Sequence, residues 1–333
     1  MVWFFRYLVV LLATASTFSY AHDVGFRTMT ISPSVESDGF PMAVFYPTSS
    51  EPKVVEMGPF RLDIAVGGDV LEGSHPLAIV SHGSGGSYLS YKEIAISLAR
   101  SGFIVGMPLH PHDNYLDNTS AGSAANYINR PRQITLAIDK LLGAPGLNTD
   151  IDPEKIAVLG HSVGGYSAIA AAGGIGDTRR LIETCNKNPW LTDPYCAPAR
   201  DGSLAKTLIN SPRDARIKAL VLMAPVGILF SAQGALNDVN IPVLLLQAEK
   251  DDEVTEPYNA DVIAKGLPDK KKLTRKMIHN AGHYSFLTSF PEFLEPELGP
   301  IAEDPQGFNR VEFQQELGEI IANHLDRVLK IRP

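Results

Sequence analysis

Ser162 stands between glycines in Gly160-His161-Ser162-Val163-Gly164-Gly165. A serine so placed is a nucleophile if a base takes its hydroxyl proton and a third group orients that base. Both partners follow later in the chain. His283 lies in Asn280-Ala281-Gly282-His283-Tyr284-Ser285, and Asp251 and Asp252 follow the run Val243-Leu244-Leu245-Leu246-Gln247-Ala248. Counting three residues on from Ala248, where a strand-ending small residue is common, selects Asp251. Counting back from Val254-Thr255, a pattern often found two residues after the acid, selects Asp252. The first count is preferred, so Asp251 is the expected acid and Asp252 its alternative. Acyl transfer also needs N–H donors for the developing oxyanion, each typically contributing about 3 kcal/mol to the transition state. The Val163 N–H, directly after the nucleophile, is one expected donor. The Ser84 N–H is the other, because Gly83 and Gly85-Gly86 let the backbone of Ser81-His82-Gly83-Ser84-Gly85-Gly86 approach closely. A phosphate cradle is the rival use of such a loop, but the Gly-Lys-Ser/Thr ending of a P-loop is absent.

These residues need a scaffold that brings distant loops together. Ile156-Ala157-Val158-Leu159 reads as a strand buried on both faces, and the small residues from Tyr166 to Ala172 as a helix packed close behind it. Between the two, a sharp turn would expose Ser162. Further strands are expected at Phe26 to Ile31, Pro41 to Tyr46, Leu77 to Val80, Phe103 to Met107, Ala219 to Met223 and Val243 to Leu246. Lys272 to Ile278 is more polar and suits a sheet edge. Helices are expected from Tyr91 to Arg100, around Ile134, Ala137, Ile138 and Leu141, from Asn259 to Lys265, and along the Phe313 to Val328 stripe. Apolar strands alternating with helices imply a mostly parallel central sheet flanked by helices on both faces, an α/β class. The strands continue without a linker, which makes residues 22–333 one domain. Ile175 to Asp214 carries Trp190, both cysteines and no clear periodicity, and reads as a cap-like insertion that covers or borders the pocket.

In this order and spacing the motifs resemble those of α/β-hydrolases, in the dienelactone-hydrolase-like group that includes the platelet-activating-factor acetylhydrolases. The resemblance rests on Ser81 to Gly86, Gly160 to Gly165, the Asp251/Asp252 turn and Ala281-Gly282-His283, which span most of the chain. It implies the α/β-hydrolase fold, hydrolysis of carboxylic esters, no cofactor, and a triad of Ser162, Asp251 and His283. The partner it implies is a small-molecule ester or a lipid-like substrate. Dienelactone hydrolases proper use a cysteine nucleophile, so the serine here weakens the transfer of their substrate. No exposed amphipathic helix supports docking at a lipid surface.

Composition narrows the classes further. Of 333 residues 44% are hydrophobic, enough for a sizeable core, and the net charge of −8 with no basic run argues against nucleic acid and anionic membrane partners. Arg6, the apolar run Tyr7 to Ala13, and Ser19 and Ala21 before His22 form a secretory signal peptide over residues 1–21. The run is too short to span a membrane. A secreted or periplasmic protein follows, with no integral membrane segment once the signal is removed. Export favours a disulfide between Cys185 and Cys196, the only two cysteines. With no histidine near them a metal site there is not expected. His110-Pro111-His112-Asp113 could bind a metal, but Pro111 disrupts regular ligand spacing, so pocket lining or loop structure is preferred. His82 is expected to hold the shape of its loop, and His161 to be structural. The expected function is an exported serine esterase working through an acyl-enzyme. A serine peptidase or acyltransferase on the same machinery and a catalytically idle binding fold are the rivals.

Overall fold

The structure, a computed structural model, describes residues 22–33, 37–147 and 149–331. The expected signal peptide lies outside the described residues. Four strands come first: β1 (Asp23–Ile31), β2 (Phe40–Thr48), β3 (Lys53–Met57) and β4 (Phe60–Val66). Strands and helices then alternate through β5 (His75–Ser81), α1 (Lys92–Arg100), β6 (Ile104–Pro108), α2 (Ala124–Leu142), β7 (Ile151–His161) and α3 (Val163–Ala171). Residues 175–214 hold β8 (Gly176–Asp177), α4 (Thr178–Lys187), α5 (Cys196–Arg200) and β9 (Leu208–Ile209). The alternation resumes with β10 (Ile217–Met223), β11 (Val243–Ala248), α6 (Ala260–Gly266) and β12 (Leu273–Ile278). It closes with a short α7 (Glu295–Leu298) and the long α8 (Arg310–Leu329).

Ten strands form one sheet in the order β12-β11-β10-β7-β5-β6-β2-β1-β4-β3. From β12 to β6 every neighbouring pair is parallel, and β2 runs antiparallel to both β6 and β1. The apolar runs read in the sequence are apolar for a reason that the two faces make plain. Ile156 and Val158 of β7 enter a core shared with α2, α3 and α6, while Ala157 and Leu159 enter another shared with α1 and α8. Ile156, Val158 and Leu159 each contribute roughly 1.5–3 kcal/mol by leaving water, and Ala157 less. The polar β12 sits at one edge, as its composition requires.

Two departures from the sequence reading have physical causes. Strands β3 and β4 were not expected. β3 is short and mostly exposed at the far edge of the sheet, and β4 carries exposed Arg61 and Asp63 between its buried residues. Helix α2 begins at Ala124, well before the Ile134 stripe, and continues through an interior Pro131. Proline lacks the N–H that would bond the Tyr127 carbonyl one turn back. The buried Tyr166 hydroxyl donates to that carbonyl instead, at 3.2 Å.

Within the 175–214 segment a disulfide joins Cys185 to Cys196. Its Asp193 accepts from the Thr255 N–H and hydroxyl, both at 2.8 Å, and from the Tyr195 hydroxyl at 2.5 Å. The segment is thereby fastened to the loop that follows β11. Among the described residues no helix is long and apolar enough to cross a membrane.

Candidate active site

Ser162 is the single residue between β7 and α3, and it turns the chain with φ 55° and ψ −125°. That conformation is strained for a non-glycine residue and persists only where its surroundings hold it. Here the Ser162 N–H donates to the Met223 carbonyl, and the Val226 N–H donates to the Ser162 carbonyl, both at 3.0 Å. A Cβ on Gly160 would collide with the Gly164 carbonyl, and one on Gly164 with the Ser81 carbonyl. The glycines of the motif are therefore dictated by how closely β7, α3 and the end of β5 approach one another.

His283 opens a 3-10 turn after β12, and its side chain is buried. Its Nδ1 lies 3.0 Å from Asp251 Oδ2 and 3.1 Å from Oδ1. A carboxylate only accepts, so Nδ1 carries the proton and Nε2 is the free acceptor. Asp251 is itself fixed by the N–H groups of Glu253 and Val254, which donate to Oδ1 at 3.1 and 2.8 Å. Asp252, the alternative acid, is exposed. No hydrogen bond joins Ser162 to His283 among the described residues, yet both line one cavity of about 670 Å³. Such contacts are often long before substrate arrives. Ser84 and Val163 line the same cavity, and among the described residues neither backbone N–H has a protein acceptor. A Cβ on Gly83 would lie 3.4 Å from Ser162 Cβ, so this loop passes directly beside the serine.

A buried polar network, of which the sequence reading anticipated His82 but not the role of Arg130, holds the loop in place. Asp113 and Arg130 form an ion pair at 2.6 Å with both side chains 0% exposed. Asp113 also accepts from the Ser84 hydroxyl at 2.6 Å, the Gly85 N–H at 3.1 Å and the Asn126 amide at 2.6 Å. Burial alone would raise its pKa, but Arg130 and these donors outweigh that and hold it below the ordinary carboxylate value. Arg130 donates further to the His82 carbonyl and to Ser167 on α3. His82 donates from Nδ1 to the Gly83 carbonyl at 2.7 Å and accepts from the His110 N–H at its other nitrogen. His110 spans Gln133 and Ser81, at 2.7 and 2.9 Å. Both histidines are fully engaged and buried, and neither lines the cavity. His112 is exposed between Asp38 and Asp117. Among the described residues no group of three or more His, Cys, Asp or Glu side chains is placed to hold a metal ion.

His161 forms a second tie. Burial first, and then the neighbouring His283, push its pKa well below the ordinary histidine value, so the ring is neutral. Its Nε2 donates to the His283 carbonyl at 3.0 Å, and its Nδ1 accepts from the Tyr91 hydroxyl at 2.9 Å. The Tyr91 oxygen in turn accepts from the Gly83 N–H at 3.1 Å. One chain of hydrogen bonds thus runs from the Ser84 loop to the backbone of His283.

The rest of the cavity wall is largely apolar. Pro194, Tyr195 and Pro198 come from the 175–214 segment, whereas Trp190 is 70% exposed and does not line the cavity. Leu287, Phe290, Leu294, Leu298 and Ile301 come from the C-terminal side.

A mostly parallel sheet, helices on both faces and a nucleophile-type turn after a central strand make this an α/β-hydrolase fold. A solved structure of a ferulic acid esterase from Streptomyces cinnamoneus superposes on it with a TM-score of 0.62. The match covers 96% of this chain and 93% of that one at 18% identity, a likeness of fold. No protein-family model matches the sequence, and no curated protein matches it either.

Proposed function

We propose that the chain is an exported serine esterase, with residues 22–333 a single hydrolase domain whose 175–214 insertion borders the substrate pocket. The observation that carries the reading is the Asp251–His283 hydrogen bond at the edge of a cavity that a strained Ser162 also lines. Ser162 Oγ attacks the ester carbonyl carbon as His283 Nε2 takes its proton. The tetrahedral oxyanion accepts from the Ser84 and Val163 N–H groups. His283 then protonates the departing alkoxide, leaving an acyl-enzyme. Water attacks the acyl carbon, His283 removes its proton, and collapse of the second intermediate returns that proton to Ser162 as the acid leaves. Asp251 keeps the imidazole in the Nδ1–H tautomer and stabilises its charged form. The folding likeness to a ferulic acid esterase makes aromatic esters an early choice of substrate, in keeping with Phe60, Tyr88 and Phe290 on the wall.

The test is hydrolysis of p-nitrophenyl esters from acetate to long-chain by the mature protein and its Ser162→Ala variant. Turnover by the parent and a loss of about 10⁴-fold or more in the variant are expected. Turnover that survives in Ser162→Ala would overturn the reading. Mass spectrometry of the exported protein is expected to find His22 at its N-terminus.

A further inference from the structure

We propose that the cavity selects uncharged or cationic esters and discriminates against anionic ones, with Glu253 the specificity-determining side chain. This rests on the esterase reading above. Among the described residues Glu253 is the one carboxylate that lines the cavity, and no lysine or arginine lines it. An anionic substituent would leave water there without finding a counter-charge, which is costly, and would meet a charge of its own sign. Two cations on or next to elements that supply lining residues are already committed. Arg130 is buried behind the Ser84 loop in its pair with Asp113. Lys92 is turned to Glu93 and Thr288 and lies 4.5 Å from the centroid of the Phe60 ring. Glu253 also sits against Tyr284, whose pKa is raised by burial first and then by this carboxylate.

The C-terminal wall reinforces the same choice. Leu287, Phe290, Leu294, Leu298 and Ile301 face the cavity at three- and four-residue intervals, offering apolar area to the uncharged part of a substrate. Between them Glu292, Glu295 and Glu297 are exposed to solvent. The same segment therefore presents apolar side chains to the cavity and three carboxylates, with Phe293, to solvent, and clustered charge of one sign repels approaching anions over the range set by ionic strength.

Three aryl esters test this: 4-acyloxybenzoate, 4-acyloxybenzamide and (4-acyloxyphenyl)trimethylammonium. Each carries the acyl group turned over fastest in the p-nitrophenyl series, and each kcat/KM is normalised to that ester's rate with hydroxide. The anion is expected at least tenfold below the neutral amide, and the cation at or above it. Glu253→Gln is expected to narrow the gap between anion and amide threefold or more, and Glu253→Lys to narrow it further. Equal normalised values for anion and amide in the parent protein would overturn the inference, as would a gap unmoved in both variants. The parent comparison stands even if neither variant folds. Failure of the p-nitrophenyl series is a separate result and removes the esterase reading itself.

Discussion

The two flanks of Ser162 are built on opposite principles. On one side the Ser84 loop is backed by Asp113, Arg130, His82 and His110, all buried, with donors and acceptors paired across four elements. On the other, the cavity wall proposed to receive substrate is assembled from apolar side chains of the 175–214 segment and of residues 287–301, many of them half-exposed. Buried polar networks have few alternative arrangements and so fix atoms to within fractions of an ångström. Apolar contact is non-directional and tolerates exchange of one side chain for another. A fold that hosts many substrates needs the first quality where bonds break and the second where the substrate varies.

The sharpest way to break this contrast is to remove the buried cation. Arg130→Met leaves Asp113 charged, buried and without its partner, and a loss of about 3–5 kcal/mol is expected in denaturant unfolding. Adding Asp113→Leu is expected to restore much of that stability, because a buried pair replaced by apolar residues is often neutral. Activity is not expected to return, since Ser84 and Gly85 have then lost their acceptor. Full recovery of kcat in the double variant would show that the pair supports folding alone and has no part in holding the loop.

Acid sharpens the contrast from another direction. Burial first, then Arg130, lowers the pKa of His82 to about 3, and burial puts His110 and His161 well below the ordinary value. In the unfolded chain a histidine takes up its proton near pH 6.5. Between that pH and the folded values the unfolded state binds protons that the folded state refuses. The stability these groups confer is therefore complete above about pH 6.5 and is lost progressively as the pH falls below it. His324 on α8, lowered to about 4 chiefly by burial, adds the same sign. His112 has the opposite sign, because its exposed bonds to Asp38 and Asp117 raise its pKa and strengthen as it becomes charged. The denaturation midpoint is expected to drop steadily from pH 7 to pH 4. A flat profile would mean that these rings are solvated in the folded protein.

The two flanks also differed in how far the sequence exposed them. Apolar runs such as Leu77 to Val80 and Val243 to Leu246 announced the parallel strands because both faces of the sheet are covered. The turn at Ser162 was visible because the glycines it needs leave a pattern. Asp113 and Arg130 left none as a pair, although His110 to Asp113 stood out as a loop. They are separated by a loop and two helical turns, and a charged residue ahead of an interior proline looks like a solvated break until the fold brings them together. The same proline hid the first turns of α2. In the 175–214 segment, Thr178, Leu181 and Cys185 are the buried residues of a short helix, and with one of the three polar the apolar pattern is too sparse to read. Choosing between Asp251 and Asp252 needed the direction of two adjacent side chains, which residue counting does not supply.

The smallest expected effect lies on the substrate wall. Leu294 is partly exposed and faces the cavity from a short 3-10 turn, so little buried area is lost when it is cut back. Leu294→Ala is expected to cost about 1 kcal/mol or less, in contrast with the several kcal/mol of a fully buried leucine. Its signature belongs to the substrate instead. In the p-nitrophenyl series KM for the longest acyl chains is expected to rise severalfold while kcat for the acetate stays within twofold, because the acetate does not reach this wall. If the acetate suffered as much as the long chains, residues 287–301 would be bracing His283 rather than receiving substrate, and the division between the two flanks would not hold.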